Sequence, residues 1–315
     1  MFFAVSPLMI FPSALGRFRV YIRQAGNFVL YAAENEQFSQ RHRQKLHDAG
    51  VAEVYIRAEQ RPDYNRYIEK HLPHILQDAC IPAQERARVL HSATEALVRD
   101  VFDARLPRGL GKKAYARVTA LVEKSMGFLG QEESLRHIAA LASHDYSVHT
   151  HCVQVFVYTM ALLQQMGIDE ETQVQVGIGA LLHDIGKTHI PGEILSKPGP
   201  LTPEERLVIN THPVKGLALC QDVPLSLTAA HCIVMHHERM DGSGYPGGLS
   251  GALIPPAVRA LAVADVYDAL TSKRCYADAM PPFAALQLMR DEMLGGLDPD
   301  VYKRLVMILS GANMV

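Results

Sequence analysis

His183 and Asp184 stand side by side at the end of Val174–Leu182, a run that carries no charge. An ionisable pair at the end of a buried run is costly unless something compensates it. An imidazole beside a carboxylate can face one cation, and the second carboxylate oxygen can reach another. Alone, the pair reads equally well as a helix-end pair at the surface. Four further pieces have the same chemistry: His151, His212, His236-His237 and Asp265. Each lies on or at the end of a stretch whose apolar residues recur at helical spacing. Five histidines and two aspartates are too many for one tetrahedral zinc with an open position. They suit two divalent cations sharing Asp184 as a bridge, held in the core of a helical bundle. Imidazole and carboxylate without thiolate favour iron or manganese, with zinc or nickel behind them.

The elements that must position these residues follow from periodicity and punctuation. Val148–Gln165 is an apolar helix carrying His149 and His151, and Glu170–His183 is the next. Pro191–Pro203 is a loop. Thr202-Pro203-Glu204-Glu205 starts a helix with a cap, a proline at its first position and acids behind it, and this helix is expected to run to Thr211-His212-Pro213. Pro224–His237 is a helix ending in the histidine pair. The glycine-dense stretch from Asp241 to Gly248 is a loop. Pro256–Thr271 is a helix carrying Asp265 and, one turn later, Asp268. Upstream, Gln84–Phe102, Lys112–Leu129 and Glu132–Ala142 are helical, with a break at Leu106-Pro107-Arg108-Gly109.

The first 80 residues read differently. Arg19–Ile22 and Phe28–Tyr31 form a hairpin about Gly26-Asn27, Glu34–Ala49 is a helix stopped by Gly50, Val54–Ile56 is a third strand and Tyr64–Ala79 a second helix. The fold class expected is mainly α: an all-helical C-terminal bundle with a small N-terminal α+β module. The division expected is 1–80 for that module, 81–142 for a helical linker and 143–315 for the metal domain. The module holds no motif that carries chemistry, which suggests a regulatory part that takes a protein partner or forms a dimer. A long connecting helix is a second candidate dimer surface.

Composition bounds the rest. The chain has 315 residues, 48% hydrophobic and 20% charged, as in a soluble globular protein. A net charge of −2 supplies no basic field for a nucleic acid polymer. No apolar run approaches the ~20 residues a membrane helix needs. Met1–Ile10 is apolar but lacks a basic leader and a small-residue cleavage site, so a secretory signal is not expected. The five cysteines (Cys80, Cys152, Cys220, Cys232 and Cys275) are scattered and read as reduced residues of a cytoplasmic protein.

Five segments, in order, carry a resemblance. They are His183-Asp184-Ile185-Gly186-Lys187, Lys197-Pro198-Gly199-Pro200-Leu201-Thr202, His212-Pro213-Val214-Lys215-Gly216, the run from His236 to Pro246, and Ala264-Asp265-Val266-Tyr267-Asp268-Ala269-Leu270-Thr271-Ser272. The stretch from Asp145 to Gly296 resembles the HD-GYP family of HD-domain metal phosphohydrolases. The resemblance implies hydrolysis of cyclic di-GMP to linear pGpG, with GMP as a further product. It implies that His183, Asp184 and Asp265 bind one metal, that His212, His236 and His237 complete the other, and that Asp184 bridges them. His151 falls where the family has a histidine ahead of the HD pair. Some members place a glutamate one turn before that histidine and hold a third metal. Here that position is Ser147, a poor ligand, so the resemblance implies two ions, with His149 and Asp145 as nearby substitutes.

The expected chemistry is attack by a hydroxide bridging two cations, which also neutralise charge on the phosphoryl oxygens. Lys187 can meet a phosphate oxygen as a point charge. Tyr245 can hydrogen-bond a phosphate or stack on guanine. Arg274, in the match to the family's Thr-Ser-x-Arg-x-Tyr segment, can recognise phosphate or guanine. The family often has a basic residue soon after that tyrosine, whereas Tyr276 is followed by Ala277 and Asp278. Asp268 and Asp241 are expected behind the ligands, Asp268 supporting a histidine and Asp241, with Glu238, ordering the loop. Two alternatives stand: a phosphohydrolase for another nucleotide, and a domain that binds a cyclic dinucleotide or a protein partner with little turnover.

Overall fold

The computed structural model describes residues 1–10, 13–103, 109–131, 137, 141, 147–273 and 278–311. The chain divides into two compact units, Met1–Ala93 and Thr94–Val315.

In the first unit, β1 (Phe2–Val5), β3 (Val20–Gln24), β4 (Asn27–Ala32) and β6 (Val54–Arg57) form an antiparallel sheet in the order β1-β6-β3-β4. A two-residue ladder joins β2 (Ser13–Ala14) to β5 (Gln37–Phe38). The hairpin turns one residue earlier than expected, at Ala25 (φ +48°) and Gly26 (φ +87°). Two successive positive φ angles are what a two-residue turn needs to match the strand twist. Two expectations change here. The apolar start of the chain contains a strand, β1. The segment from Glu34 is not yet helix: Asn35 takes φ +59° and the Glu36 carboxylate accepts the Ala33 N–H at 2.6 Å, closing a turn. Helix α1 therefore begins only at Gln40 and runs to Asp48. Helix α2 (Arg61–Gln77) buries Tyr64, Ile68, Leu72 and Ile75, and the Phe18 ring meets Tyr64 and Tyr67 edge-on.

The second unit is helical. Helix α3 (Ala83–Asp103) crosses the division between the units, and α4 spans Lys112–Leu129. Most of the expected Glu132–Ala142 helix and of the Leu106–Gly109 break lies outside the described residues. Helix α5 (Val148–Gln165) is buried on nearly every face from His151 to Leu163, which makes it the central helix. Ser147 caps it: the Ser147 hydroxyl accepts the Thr150 N–H while the Ser147 N–H reaches the Thr150 hydroxyl. Around it pack α6 (Glu170–Leu182), α10 (Pro256–Thr271) and α12 (Pro299–Gly311), and α9 (Leu227–Met235) packs on α6. Asp169 caps α6 and Ser226 caps α9.

The helix expected to continue through His212 is two helices. Helix α7 (Pro203–Ile209) starts with the Thr202–Glu205 capping box and stops, and α8 (His212–Leu219) restarts with Pro213 near its first position. Pro213 has no N–H to donate into a preceding turn, so it fits a helix start better than a helix interior. Helix α11 (Pro282–Leu288) follows α10. Among the described residues, no helix is long and apolar enough to cross a membrane.

Candidate metal centre

Five helices bring their polar residues to one place in the second unit. Helix α5 contributes His151 from its first turn. His183 closes α6, and Asp184 opens the tight turn Ile185–His189 that follows. Helix α8 begins on His212, α9 ends on His236 with His237 next in chain, and α10 carries Asp265 and Asp268. His183, Asp184 and His212 are fully buried, and His151, His236, Asp265 and Asp268 nearly so. His237 is the most open, with about a quarter of its side chain exposed.

The half-sites meet because Gly186 lets two backbones touch. A Cβ there would collide with the His212 carbonyl and the Gly216 N–H, so the turn after Asp184 lies directly on α8. Only glycine permits that approach.

The ligand atoms form two groups. Those of His151, His183 and Asp265 lie within 4.8 Å of one another, and so do those of His212, His236 and His237. Asp184 stands between them. Its Oδ1 is 3.2 Å from His212 Nε2 and 3.9 Å from His236 Nε2, while its Oδ2 is 3.5 Å from His183 Nε2 and 3.6 Å from His151 Nε2. Asp265 Oδ1 is 3.0 Å from His151 Nε2 and its Oδ2 is 3.6 Å from His237 Nδ1.

Hydrogen bonds on the outer side of the rings assign their tautomers. Nδ1 of His183, His212 and His236 lies 2.7, 2.9 and 2.9 Å from the carbonyls of Ala180, Ile209 and Ile233. A carbonyl only accepts, so each Nδ1 carries the proton and each Nε2 turns a lone pair inward. His151 Nδ1 is held in the same way, 2.6 Å from Asp268 Oδ2. The inward pairs then face acceptors: His212 Nε2 lies 3.1 Å from His236 Nε2, and the buried His183 Nε2 and Asp184 Oδ1 make no hydrogen bond. Converging lone pairs and a buried carboxylate are a donor set for divalent cations, and the residues present fit them.

The electrostatics favour the ligating forms. Burial pushes His236 well below the ordinary histidine value, helped by His237 and His183 beside it. Burial also lowers His183, although Asp184 and Asp265 oppose it. His237 falls to about 3, chiefly through burial. Burial alone would raise Asp184 and Asp265. For Asp184 the Lys187 ammonium and His183 outweigh it, and for Asp265 the adjacent His151 and His237 do so, holding both carboxylates well below the usual range.

The other expected residues are placed as follows. Lys187 Nζ lies 2.6 Å from Asp184 Oδ2, so its charge stands at the inner edge of the cluster. The Tyr245 ring lies over His237, with centroids 4.7 Å apart and planes at 31°, and Tyr245 N–H donates to the His237 carbonyl at 3.2 Å. Asp241 is exposed and closes a turn of its own loop: its carboxylate accepts from Ser243 N–H and Oγ–H at 2.9 and 2.6 Å, and it faces Arg239 rather than a ligand histidine. The buried neighbour Glu238 holds the far side of the loop, accepting the Gly247 and Leu249 N–H groups at 2.6 and 2.8 Å. Arg274, Tyr276 and Ala277 lie outside the described residues, as does Asp145. Ser147 is spent on capping α5, and His149 pairs with Asp103 at 3.2 Å.

Cys152 was not singled out by sequence reasoning. It follows His151 and is fully buried, and its sulfur lies with ligand atoms of His183 and Asp184 within 4.8 Å. Burial and the Asp184 charge push its thiol well up, so it sits there as a neutral group. Its place next to His151 was the available signal.

The sequence matches the HD domain family over residues 64–301. It is 32% identical over 282 residues to cyclic di-GMP phosphodiesterase PA4108 of Pseudomonas aeruginosa, covering 85% of this chain and 67% of that one. It is 39% identical over 157 residues to 3'3'-cGAMP-specific phosphodiesterase 1 of Vibrio cholerae, covering 50% and 36%. It is 39% identical over 139 residues to a cyclic di-GMP phosphodiesterase of Thermotoga maritima, covering 44% and 38%. The chain thus spans two thirds of the first relative and little more than a third of the other two. The solved structure of Bd1817, an HDGYP protein of Bdellovibrio bacteriovorus, has the same fold, with a TM-score of 0.69 at 21% identity, covering 99% of this chain and all of that one. With the five motif segments and the helical ligand cluster, these likenesses show that the chain belongs to the HD-domain family, in its HD-GYP branch.

Proposed function

We propose that the chain is a metal-dependent phosphodiesterase that opens cyclic di-GMP to linear pGpG. The observation that carries this reading is Asp184, a fully buried carboxylate with one oxygen toward each histidine group. Relatives named as cyclic di-GMP phosphodiesterases supply the substrate class. Two ions, iron or manganese, would supply an activated water and neutralise charge on the phosphoryl oxygens. His151, His183 and Asp265 would hold one ion, His212, His236 and His237 the other, and Asp184 both. In the reaction, water oxygen bonds to phosphorus, the 3′ oxygen–phosphorus bond breaks, and the freed 3′ oxygen takes a proton. The product keeps its phosphate on the 5′ side. Lys187 would place its charge on a phosphate oxygen, Tyr245 would stack on a base or bond a phosphate from above His237, and Arg274 would contact phosphate or guanine. Residues 1–80 would act as the regulatory part, and the protein would work in the cytoplasm.

A second substrate is 3'3'-cGAMP, because relatives of similar identity are named for it. Turnover of both dinucleotides by manganese- or iron-loaded protein, beside a His183→Ala variant, tests the reading. Cleavage of cyclic di-GMP that the variant loses while staying folded supports it. Cleavage of 3'3'-cGAMP alone moves the assignment to that substrate. Equal turnover by the variant defeats the metal mechanism.

A further inference from the structure

Strand β4 is an edge of the four-stranded sheet. Its sequence, Asn27-Phe28-Val29-Leu30-Tyr31-Ala32, contains no charge and no proline, the features by which sheet edges are commonly blunted. Phe28, Val29 and Leu30 are 40%, 41% and 51% exposed. Side chains alternate along a strand, so Phe28 and Leu30 lie on one face and Val29 on the other. Both faces of this edge are therefore apolar. The strand is well supported from within: β3 pairs with it from Asn27 to Leu30 and, past a bulge at Tyr31, at Ala32, and the Phe28 ring stacks on Phe2 at 4.0 Å and meets Tyr55 edge-on at 5.1 Å. On its outer side, among the described residues, no strand takes up its backbone groups.

We propose that β4 pairs antiparallel with β4 of a second copy of this chain, joining the two sheets across a two-fold axis. A row of open backbone N–H and C=O groups is matched by another extended strand, which offers the complementary row at the same spacing. An uncharged strand meets itself without the like-charge repulsion that cross-strand pairing would impose on a charged one. Residues opposite each other must point to the same face, so a two-fold axis requires partners of equal parity. With the axis at Val29, Val29 meets Val29 on one face, while Phe28 meets Leu30 and Leu30 meets Phe28 on the other. The self-paired strand thus covers all three exposed apolar side chains at once.

The test uses the full chain. Sedimentation velocity at micromolar concentration is expected to show a dimer. Leu30→Lys is expected to weaken it by about tenfold or more in Kd while circular dichroism stays unchanged. A second measurement is independent of that variant. Val29→Cys, made with Cys80→Ser and Cys275→Ser, places two cysteines opposite each other about 4.5–5.5 Å apart at Cβ. Mild oxidation should give a disulfide-linked dimer, and adding Leu30→Lys should abolish it. A monomeric parent, a dimer untouched by Leu30→Lys, or a dimer that Val29→Cys does not cross-link would overturn the proposal. The last two results would move the interface to another surface.

Discussion

His151 Nδ1 and Asp268 Oδ2 lie 2.6 Å apart in the core of the second unit. The contact joins α5 to α10 and fixes the His151 proton on the outer nitrogen, so that Nε2 faces the cluster. A ligand histidine released from such a carboxylate typically loses metal affinity by about 10–100-fold. Asp268→Ala should therefore bind manganese about 10–100-fold more weakly in a competition titration against a chromophoric chelator. Asp265 and Asp184 are unaltered in that variant, so the cluster should fill at higher metal concentration. Unchanged affinity would remove Asp268 from the support of the site.

Gly186→Ala probes the junction of the two half-sites. The added methyl would meet the His212 carbonyl and the Gly216 N–H, both backbone atoms of α8. Neither can swing aside as a side-chain tip would. Overpacking of this kind costs about 1–3 kcal/mol, read as a fall in chemical-denaturation midpoint. Because His212 must move with its helix, metal content should fall as well. A variant of full stability and full metal content would show that the turn is free to separate from α8.

Glu238→Gln tests the loop that carries Tyr245. Glu238 accepts two backbone N–H groups, from Gly247 and Leu249. A glutamine can accept only one and turns an N–H toward the other, leaving a buried donor without a partner at about 1–3 kcal/mol. The expected result is a KM raised about tenfold or more with unchanged metal content. Lost metal with unchanged KM would place Glu238 in support of His237 rather than of the loop.

The histidine shifts set a pH dependence for the metal-free protein. His236, His183 and His237 lie below the ordinary 6.5 in the folded state, His237 at about 3. As pH falls through 6.5 the unfolded chain takes up these protons and the folded chain does not. Stability from these groups is therefore fully present above 6.5 and is lost progressively from there toward 3. Asp184 and Asp265, held below 3.8, add losses in the same direction at lower pH. Thermal melts of chelator-treated protein should show Tm falling from pH 7 to pH 5. In His236→Asn that fall should be shallower, and an equal slope would contradict the assignment.

Much of this was legible in the sequence, for physical reasons. The histidines and Asp184 could be found because they sit near the start or end of an apolar helix, and Asp265 because it stands inside one; a buried imidazole or carboxylate in either place needs a reason. Val148–Gln165, Lys112–Leu129 and Pro256–Thr271 were legible to the residue because caps, glycine and proline mark their ends. What escaped depends on the third dimension or on turn chemistry. Of the two loop carboxylates, nothing in the sequence tells that Glu238 turns inward while Asp241 pairs with Ser243 on the surface. Cys152 enters the cluster only through the rotation of α5. The turn at Asn35 and the restart at His212 each interrupt a periodic pattern that, read alone, continues. Strand β1 gave no alternating signal, because its short apolar run is only partly covered on either face.

In the proposed centre Asp184 couples two ions into one cluster. Electron paramagnetic resonance on protein loaded with manganese tests it most directly, with metal counted and cyclic di-GMP cleavage followed in the same sample. About two manganese ions per protomer, a spin-coupled dimanganese signal, and turnover that rises with that signal are expected. Asp184→Asn should lose the coupling and the turnover together. A single uncoupled ion in the active protein, or an Asp184→Asn variant that keeps the coupled signal, would contradict it.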